Sequence, residues 1–410
     1  WCIRITRTAQ FTLTVFRKFI GDFIVTASSI YLPRILRIGA GVSSQLAEVL
    51  LEMGLSSPMI VSDPFMAQCG YVDKIASGLE KSNVEFGTFT DCVADPTTDS
   101  IAAAMESWQQ GDFDSVVALG GGSSIDTAKA LAVLAVHGGK MRDYKAPNPV
   151  PIGVPIIAIP TTAGTGSEAT RVTVVTDTET QEKMMCLGSG LMPTAALVDY
   201  ELTMTMPYRL TADTGIDSLC HAMEAYISRK ANAFTDTIAL ASMSSIARNI
   251  RIACDNPDNK VAREAMMLAA TQGGIAFSNS SVTLIHGMSR PLGAFFHVPH
   301  GLSNAMLMPA VTEYSLPGSV SRYAECARAM DLASLSDSDA DAGIKLLDGL
   351  YRLNSDLQVP SPKTFGISET DYADVITTMA EQALASGSPN NNPLIPEQFD
   401  IEQLYRKVWS

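Results

Sequence analysis

The rhythm of apolar and polar positions changes near residue 200. From about residue 35 to 200, short apolar runs alternate with longer stretches of helical period, the pattern of strand–helix–strand units on a parallel sheet. ILRIGAG leads into VSSQLAEVLLEMG, a helix that stops at Gly54, and PMIVSD is a strand ending at Asp63. FDSVVALGGGSSIDTAKALAVLAV gives a strand, a glycine turn and a helix, and PIIAIPTTAGTGSE a strand opening into a polar loop. From Thr211 onward the chain is rich in Ala and Met and helical in period, interrupted at DNPDN (255–259), LPGS (316–319) and SGSPNNNP (386–393). No internal repeat is visible. The pattern predicts an N-terminal α/β domain over residues 30–206 and an all-α domain over 207–410, preceded by an extension over 1–29.

Composition fits that division. A chain of 410 residues exceeds one ordinary core and suits two domains. With 46% hydrophobic and 18% charged residues it is a packed globule, not a disordered chain. The net charge of −14 argues against nucleic acid, whose phosphates demand a basic face. No stretch reads as a membrane span: the most apolar run, VPIGVPIIAIP, is broken by Pro151, Pro155 and Pro160 and falls well short of the roughly 20 residues required. Cys2, Cys69, Cys92, Cys186, Cys220, Cys254 and Cys326 show no paired spacing, so reduced thiols and a cytoplasmic location are expected. The first 22 residues carry Arg4, Arg7, Arg17 and Lys18 with no acid before Asp22. That composition allows a transit-type peptide, but without a starting Met or a clear cleavage pattern an upstream extension or fragment end is the preferred expectation.

Candidate chemistry concentrates in both halves. Gly120-Gly121-Gly122-Ser123 joins a buried strand to a helix, where glycine admits a diphosphate close to the backbone and the helix N-terminus offers free N–H groups. Asp126 and Lys129 follow within the first turns. This is not the GxGxxG fingerprint, and a glycine turn also serves tight geometry alone. Asp63 stands where a strand-end carboxylate would accept from a ribose 2′-OH and repel a 2′-phosphate, which favours NAD; a solvated turn Asp is the plainer reading. Thr161, Thr162 and Thr165 place small hydroxyls where a strand opens into a loop, for ligand or for local turns.

In the second half, Asp217 and His221 are four apart in TGIDSLCHAMEAY and share one helical face. His286 and His300 bracket HGMSRPLGAFFHVPH. One carboxylate and three imidazoles, drawn from only five histidines in the chain, suit a divalent metal such as Fe(II) or Zn(II). Cys220 abuts His221 but points about 100° away on a helix, so it reads as a core thiol.

GGGSSIDTAK, PTTAGTGSE, the D-x-x-x-H of DSLCHAMEAY and HGMSRPLGAFFHVPHG, in that order, make the chain resemble the iron-containing (group III) alcohol dehydrogenases. More distant kin are glycerol dehydrogenase and dehydroquinate synthase. The resemblance runs from about residue 30 to the C-terminus. It implies a dinucleotide-binding α/β domain and a helical domain, the dehydroquinate synthase-like fold, with metal and nicotinamide in the cleft between them. It further implies Asp217, His221, His286 and His300 as metal ligands, and Gly121, Gly122 and Ser123 at the pyrophosphate, with Asp126 in the same turn. By the same likeness Asp63 meets the adenosine ribose, Thr161, Thr162 and Thr165 the nicotinamide side, Lys183 the cofactor ribose, and Leu202 an apolar part of the cofactor. Taken alone, Lys183 reads as a solvated turn lysine.

Two positions depart from the family pattern. Arg290 stands where many members carry a histidine beside the substrate, and Asp95 where Asn is common. Arg290 reads either as an interface contact or as an anchor for a substrate carboxylate or phosphonate. His297, three residues before His300, reads as a structural or solvent-facing residue or as a proton relay. The expected activity is metal-dependent, NAD(H)-linked oxidation of a small alcohol, diol or hydroxy acid, or the reverse aldehyde reduction, in a homodimer or larger homo-oligomer. Two rivals are a dehydroquinate synthase-like lyase, for which HGMSRPLG offers one arginine instead of a polybasic pocket, and a filament-forming scaffold.

Overall fold

The central strands of the sheet form because their residues are buried on both faces. The structure is a computed structural model that describes residues 27–180 and 182–410; the basic stretch before Asp22 lies outside the described residues. Eight strands are present among the described residues: β1 (Ile35–Ile38), β2 (Pro58–Ser62), β3 (Gly87–Phe89), β4 (Ser115–Gly120), β5 (Ile156–Pro160), β6 (Val172–Asp177), β7 (Glu182–Leu187) and β8 (Ala195–Val198). Six make one parallel sheet in the order β1-β8-β5-β4-β2-β3. In β2, β4, β5 and β8 every residue is buried, which is why each reads as an unbroken apolar run. Alternate residues feed two cores. Ile60, Val117, Leu119, Ile157 and Ile159 pack on one face, and Met59, Val61, Val116, Ala118 and Ile156 on the other.

Helices α1 (Leu46–Met53), α2 (Pro64–Gln68), α3 (Tyr71–Lys81), α4 (Thr98–Trp108) and α5 (Gly122–His137) join these strands. The C-terminal ends of β2, β4 and β5 lie side by side, with Ser62 paired to Leu119 and Gly120 to Pro160. Asp63, the glycine turn and Thr161 therefore emerge at a single edge, where α/β sheets take their ligands. β6 and β7 form a separate antiparallel hairpin, an element the apolar runs do not announce.

From residue 208 the described chain holds helices and no strand: α6 (Tyr208–Ile227), α7 (Ala233–Asp255), α8 (Lys260–Ser278), α9 (Leu284–Phe296), α10 (His300–Ser315), α11 (Val320–Ala329), α12 (Asp339–Asp356), α13 (Pro362–Phe365), α14 (Glu369–Ala385) and α15 (Gln398–Val408). The turn at 255–259 is the α7–α8 connection, while 316–318 and 388–391 tighten into single 3₁₀ turns. α6 is enclosed almost all round, its residues from Gly215 to Ile227 being buried. A helix in that position must bury whatever polar residues it carries, so Asp217, His221 and Glu224 each need partners.

The two halves are tied through the loop after β5. Ser218 Oγ donates to the Gly164 carbonyl (2.8 Å), and Thr271 Oγ1 on α8 donates to the Glu168 carboxylate (2.6 Å). Lys129 on α5 is fully buried and donates to Ser167 Oγ, Thr170 Oγ1 and the carbonyls of Thr170 and Val172, at 2.8–3.0 Å. The threonine loop is thus held from the sheet side by α5 and from the helical side by α6 and α8. No helix of the described residues is long and apolar enough to cross a membrane.

Candidate active site

A cleft of about 420 Å³ opens at the C-terminal edge of the sheet. Its walls include Asp63, Gly121, Gly122, Ser123, Thr161, Thr162 and Thr165, together with Leu210 and Thr214 from the first turns of α6. Glycine is required in the turn. Gly120 has φ +154°, and a side chain there would strike Ser124 and approach Asp63, while one at Gly122 would meet Thr165 Cγ2 at 2.8 Å. Asp63 caps α2 by accepting from Met66 N (3.0 Å) through one oxygen, and its other oxygen accepts from Ser124 Oγ (3.2 Å) at the cleft wall.

Not every residue named from the sequence reaches this cleft. Asp126 accepts from Ser167 Oγ (3.0 Å) and Val174 N (3.1 Å), so its carboxylate fastens α5 to the threonine loop and β6 and is absent from the cleft wall. Leu202, on a 3₁₀ turn packed against α8, is buried in the core under the sheet; Thr205 and Met206 take the wall instead. Lys183 stands on β7, opposite Thr176 and not in a turn, and pairs with Asp95 at 2.9 Å.

One helical turn after Thr214, α6 turns Asp217 and His221 toward α9 and α10. Ligand-type atoms of Asp217, His221 and His286, all buried, lie within 4.8 Å of one another. Asp217 Oδ1 is 3.4 Å from His286 Nε2 and 3.8 Å from both His221 Nε2 and His300 Nε2. His221 stacks between Phe277 and His286, with ring centroids 4.3 and 4.5 Å away. His300, first residue of α10, keeps 42% of its side chain exposed and forms the open side of the cluster.

Two further residues, missed in the sequence, complete the cluster. Glu224 lies seven positions after Asp217 on the same face of α6. It is buried and accepts from Thr283 Oγ1 (2.7 Å) and Ile285 N (2.7 Å) while holding His286 Nδ1 at 2.5 Å. That contact leaves His286 Nε2 facing Asp217. Asn304, four residues after His300 on α10, brings its Nδ2 to 2.6 Å from Asp217 Oδ1, 3.1 Å from His286 Nε2 and 3.4 Å from His300 Nε2. The signals were the i, i+4, i+7 spacing in DSLCHAMEAY and the i, i+4 spacing in HGLSN.

Electrostatics sharpen the picture. Burial pushes His221 down to about 3, and desolvation where His300 faces the cluster, with the nearby charges of His286, Lys183 and Arg290, pushes His300 down to about 4, leaving both imidazoles neutral. Burial alone would raise Asp217, but the surrounding imidazoles hold it well below the usual carboxylate range. Burial likewise opposes a charge on His286, yet the Glu224 and Asp217 carboxylates outweigh it and hold it up at about 9.

The donor set fits a divalent cation. A carboxylate oxygen and two imidazole nitrogens converge on the single amide nitrogen of Asn304, which can donate to Asp217 and His300 but meets a second donor in the protonated Nε2 of His286. His221 Nδ1 and Asn304 Oδ1 are buried without partners. Neutral imidazole with carboxylate is the chemistry of Zn(II) and Fe(II) sites.

Comparison with known proteins gives the family. A model of iron-containing alcohol dehydrogenase matches residues 33–200, and the Fe-containing alcohol dehydrogenase C-terminal model matches residues 211–409. The chain belongs to the iron-containing alcohol dehydrogenase family. It is 32% identical over 384 residues to the NAD-dependent methanol dehydrogenase of Bacillus methanolicus, covering 93% of this chain and 100% of that one. A crystal structure of 1,3-propanediol oxidoreductase superposes with TM-score 0.90 at 32% identity, covering 93% and 100% of the two chains. The sulfoacetaldehyde reductase of Bifidobacterium kashiwanohense, solved in complex with NAD+, gives TM-score 0.85 at 27% identity, covering 94% and 99%.

In this family member the remaining sequence candidates fall on α9. Arg290 is one turn beyond His286, half-buried, and its Nη2 lies 3.9 Å from Met185 Sδ of β7. His297 caps α9 in a left-handed conformation (φ 53°), exposed, with no hydrogen bond or ion pair to a described residue. Cys220 is buried in the helical core, and its thiol is pushed well up by burial.

Proposed function

We propose that this chain is a metal-dependent, NAD(H)-linked alcohol dehydrogenase and aldehyde reductase acting on a small alcohol, diol or hydroxy acid. The observation that carries this reading is a single juxtaposition. The glycine turn and Asp63 line one cleft with Thr214, and the Asp217–His221–His286 cluster begins one helical turn farther along α6.

Asp217, His221, His286 and His300 are assigned as the ligands of Fe(II), with Zn(II) the alternative. Such an ion, when bound, supplies Lewis acidity that polarises an alcohol or carbonyl oxygen. The chain's own residues do the rest. Neutral His221 and His300 offer lone pairs, Glu224 fixes the tautomer of His286, and the exposed side of His300 leaves room for the substrate. The N-terminus of α5 at Gly121, Gly122 and Ser123 receives the cofactor diphosphate. Asp63 accepts from the ribose 2′-OH and disfavours NADP. Thr161, Thr162 and Thr165 border the nicotinamide end, with Lys183 at the rim of the hairpin. Asp126 and Leu202 support this surface from behind it. NAD, held at its diphosphate by Gly121, Gly122 and Ser123, would supply the acceptor for the hydride of the carbinol carbon, and the hydroxyl proton would pass to water.

The exposed Leu36 and Ile38 on edge strand β1 support self-association into a homodimer or larger assembly. Free thiols at all six described cysteines fit a reducing compartment such as the cytoplasm. The deciding experiment strips the protein with a chelator, restores Fe(II) or Zn(II), and follows NADH with a panel of alcohols, diols and hydroxy acids. Metal-dependent NADH formation is expected, with Asp217→Ala and His286→Ala inactive but still binding NAD. Full activity in either variant refutes the ligand assignment.

A further inference from the structure

We infer that Arg290 forms an anion subsite and that the preferred substrate carries a carboxylate at the end remote from its reacting oxygen. The inference rests on the proposed function above and narrows it from small alcohols in general to short hydroxy acids and their aldehyde acids.

The first observation is the state of the guanidinium. Arg290 is half-buried, and burial pulls its pKa below the ordinary guanidinium value. Among the described residues it has no carboxylate within ion-pairing distance, and its one hydrogen-bonding partner is the thioether of Met185 at 3.9 Å. Sulfur is a weak acceptor, so apart from solvent the guanidinium finds no good acceptor among the described residues. A partly desolvated charge without a counter-ion is costly, and such a group is retained where a ligand supplies the missing anion.

The second observation is its position. Arg290 follows His286 by four residues on α9 and so lies on the same helical face, with Cα atoms about 6 Å apart along the axis. Its charge depresses His300 and is itself favoured by the Glu224 carboxylate, which places it in the field of the cluster. The cofactor diphosphate is served elsewhere, by the glycine turn in a cleft whose walls do not include Arg290. An anion at Arg290 therefore belongs to the substrate. A molecule of about three or four carbons matches the length of that one-turn backbone spacing.

Charge balance selects the head group. Lys183, the other cation acting on His300, is already paired with Asp95 at 2.9 Å. Arg290 alone remains to be neutralised, and one bidentate carboxylate does so completely. A phosphonate or phosphate dianion would leave a surplus negative charge beside Asp217 and Glu224. The reaction that follows is HO–CH2–CH2–COO− + NAD+ → OHC–CH2–COO− + NADH + H+. A C–H bond breaks toward nicotinamide C4, a C=O bond forms, and the carboxylate at Arg290 is unchanged.

The test compares 3-hydroxypropanoate, 1,3-propanediol and 1-propanol with the metal-loaded enzyme and NAD+. In parallel, propanoate, which cannot react, is titrated into the enzyme–NADH complex and followed by NADH fluorescence. We expect kcat/KM for the acid to exceed that for 1-propanol by about 10- to 100-fold, the range for a charge-assisted contact. Arg290→Gln is expected to bring that ratio to within about 3-fold and to abolish saturable propanoate binding, with Arg290→Lys intermediate. Equal kcat/KM for the three alcohols in the wild type, or equal propanoate binding by wild type and Arg290→Gln, overturns the inference. If Arg290→Gln does not fold, the wild-type series alone decides. Absence of NADH from all three alcohols would instead count against the proposed function, and propanoate binding would still report on Arg290.

Discussion

The buried Glu224 carboxylate holds Nδ1 of His286 at 2.5 Å and turns Nε2 of the same ring toward Asp217 Oδ1, 3.4 Å away. This fixes both the tautomer and the plane of a residue that otherwise sits at the start of a helix containing an internal proline, Pro291. Carboxylates behind a ligating histidine typically contribute about 10- to 100-fold in metal affinity. Glu224→Gln keeps the shape and removes the charge. We expect it to weaken metal retention by about that factor in competition with a chelating dye, while NAD binding is unchanged. Affinity equal to wild type would show that Glu224 only fills space.

The same pair sets the pH dependence of metal uptake. His286 is held up at about 9, whereas His221 at about 3 and His300 at about 4 are already neutral and Asp217 is already ionised. Below about pH 9 a cation arriving at Nε2 must displace one proton, and only from His286. Apparent Zn(II) affinity should therefore rise about tenfold per pH unit from about pH 6 to 8 and level off above about 9. Calorimetry in two buffers of different ionisation enthalpy should count close to one proton released per metal at pH 7. An affinity independent of pH over that range would contradict the assignment.

What the sequence made legible follows from where burial writes a regular pattern. Val116–Leu119 and Ile156–Ile159 are covered on both faces and so appear as unbroken apolar runs, which exposed the sheet and the edge where Asp63, Gly121 and Thr161 meet. Asp217 and His221 were visible because four residues make a helical turn. The β6–β7 hairpin was not visible: the polar stretch TDTETQEK dominates it, and its alternation is confined to the short flanks. Lys183 consequently looked like a turn residue when it is a strand residue paired to Asp95. Asp126 and Leu202 carried the family pattern, but which way a side chain faces depends on partners such as Val174, 48 residues along the chain. Asn304 and Glu224 had helical spacing in their favour and lacked only a reason to look.

Asp63 has two separable duties, and one substitution distinguishes them. One carboxylate oxygen caps α2 through Met66 N, and the other accepts from Ser124 at the cleft wall. Asparagine caps a helix about as well as aspartate but carries no charge. Asp63→Asn should preserve the thermal midpoint and narrow the NAD-over-NADP ratio of kcat/KM by about tenfold or more, since only the charge opposes a 2′-phosphate. Asp63→Ala should narrow the ratio as well and also lose on the order of 1 kcal/mol of stability. An unchanged cofactor ratio in Asp63→Asn would place the adenosine ribose elsewhere.

Lys129 links cofactor turn to threonine loop, and its loss should register in stability before chemistry. Its ammonium is fully buried and serves Ser167, Thr170 and the Val172 carbonyl. Lys129→Met fills the volume but strands those acceptors, which should lower the stability to chemical denaturation by something on the order of 3 kcal/mol. Its pH signature has a definite sign. Burial lowers Lys129 to about 8, below the ordinary 10.5, with Asp126 and Glu168 only partly opposing. Below about 8 both folded and unfolded states carry the proton and the folded state bears the whole cost of a buried charge. Between about 8 and 10.5 the folded state releases its proton first, so the stability of the wild type should rise with pH relative to Lys129→Met. Denaturant titrations at about pH 7.5 and 9.5 measure the difference directly, and a gap that stays constant or shrinks with pH would mean the four acceptors hold the ammonium charged throughout.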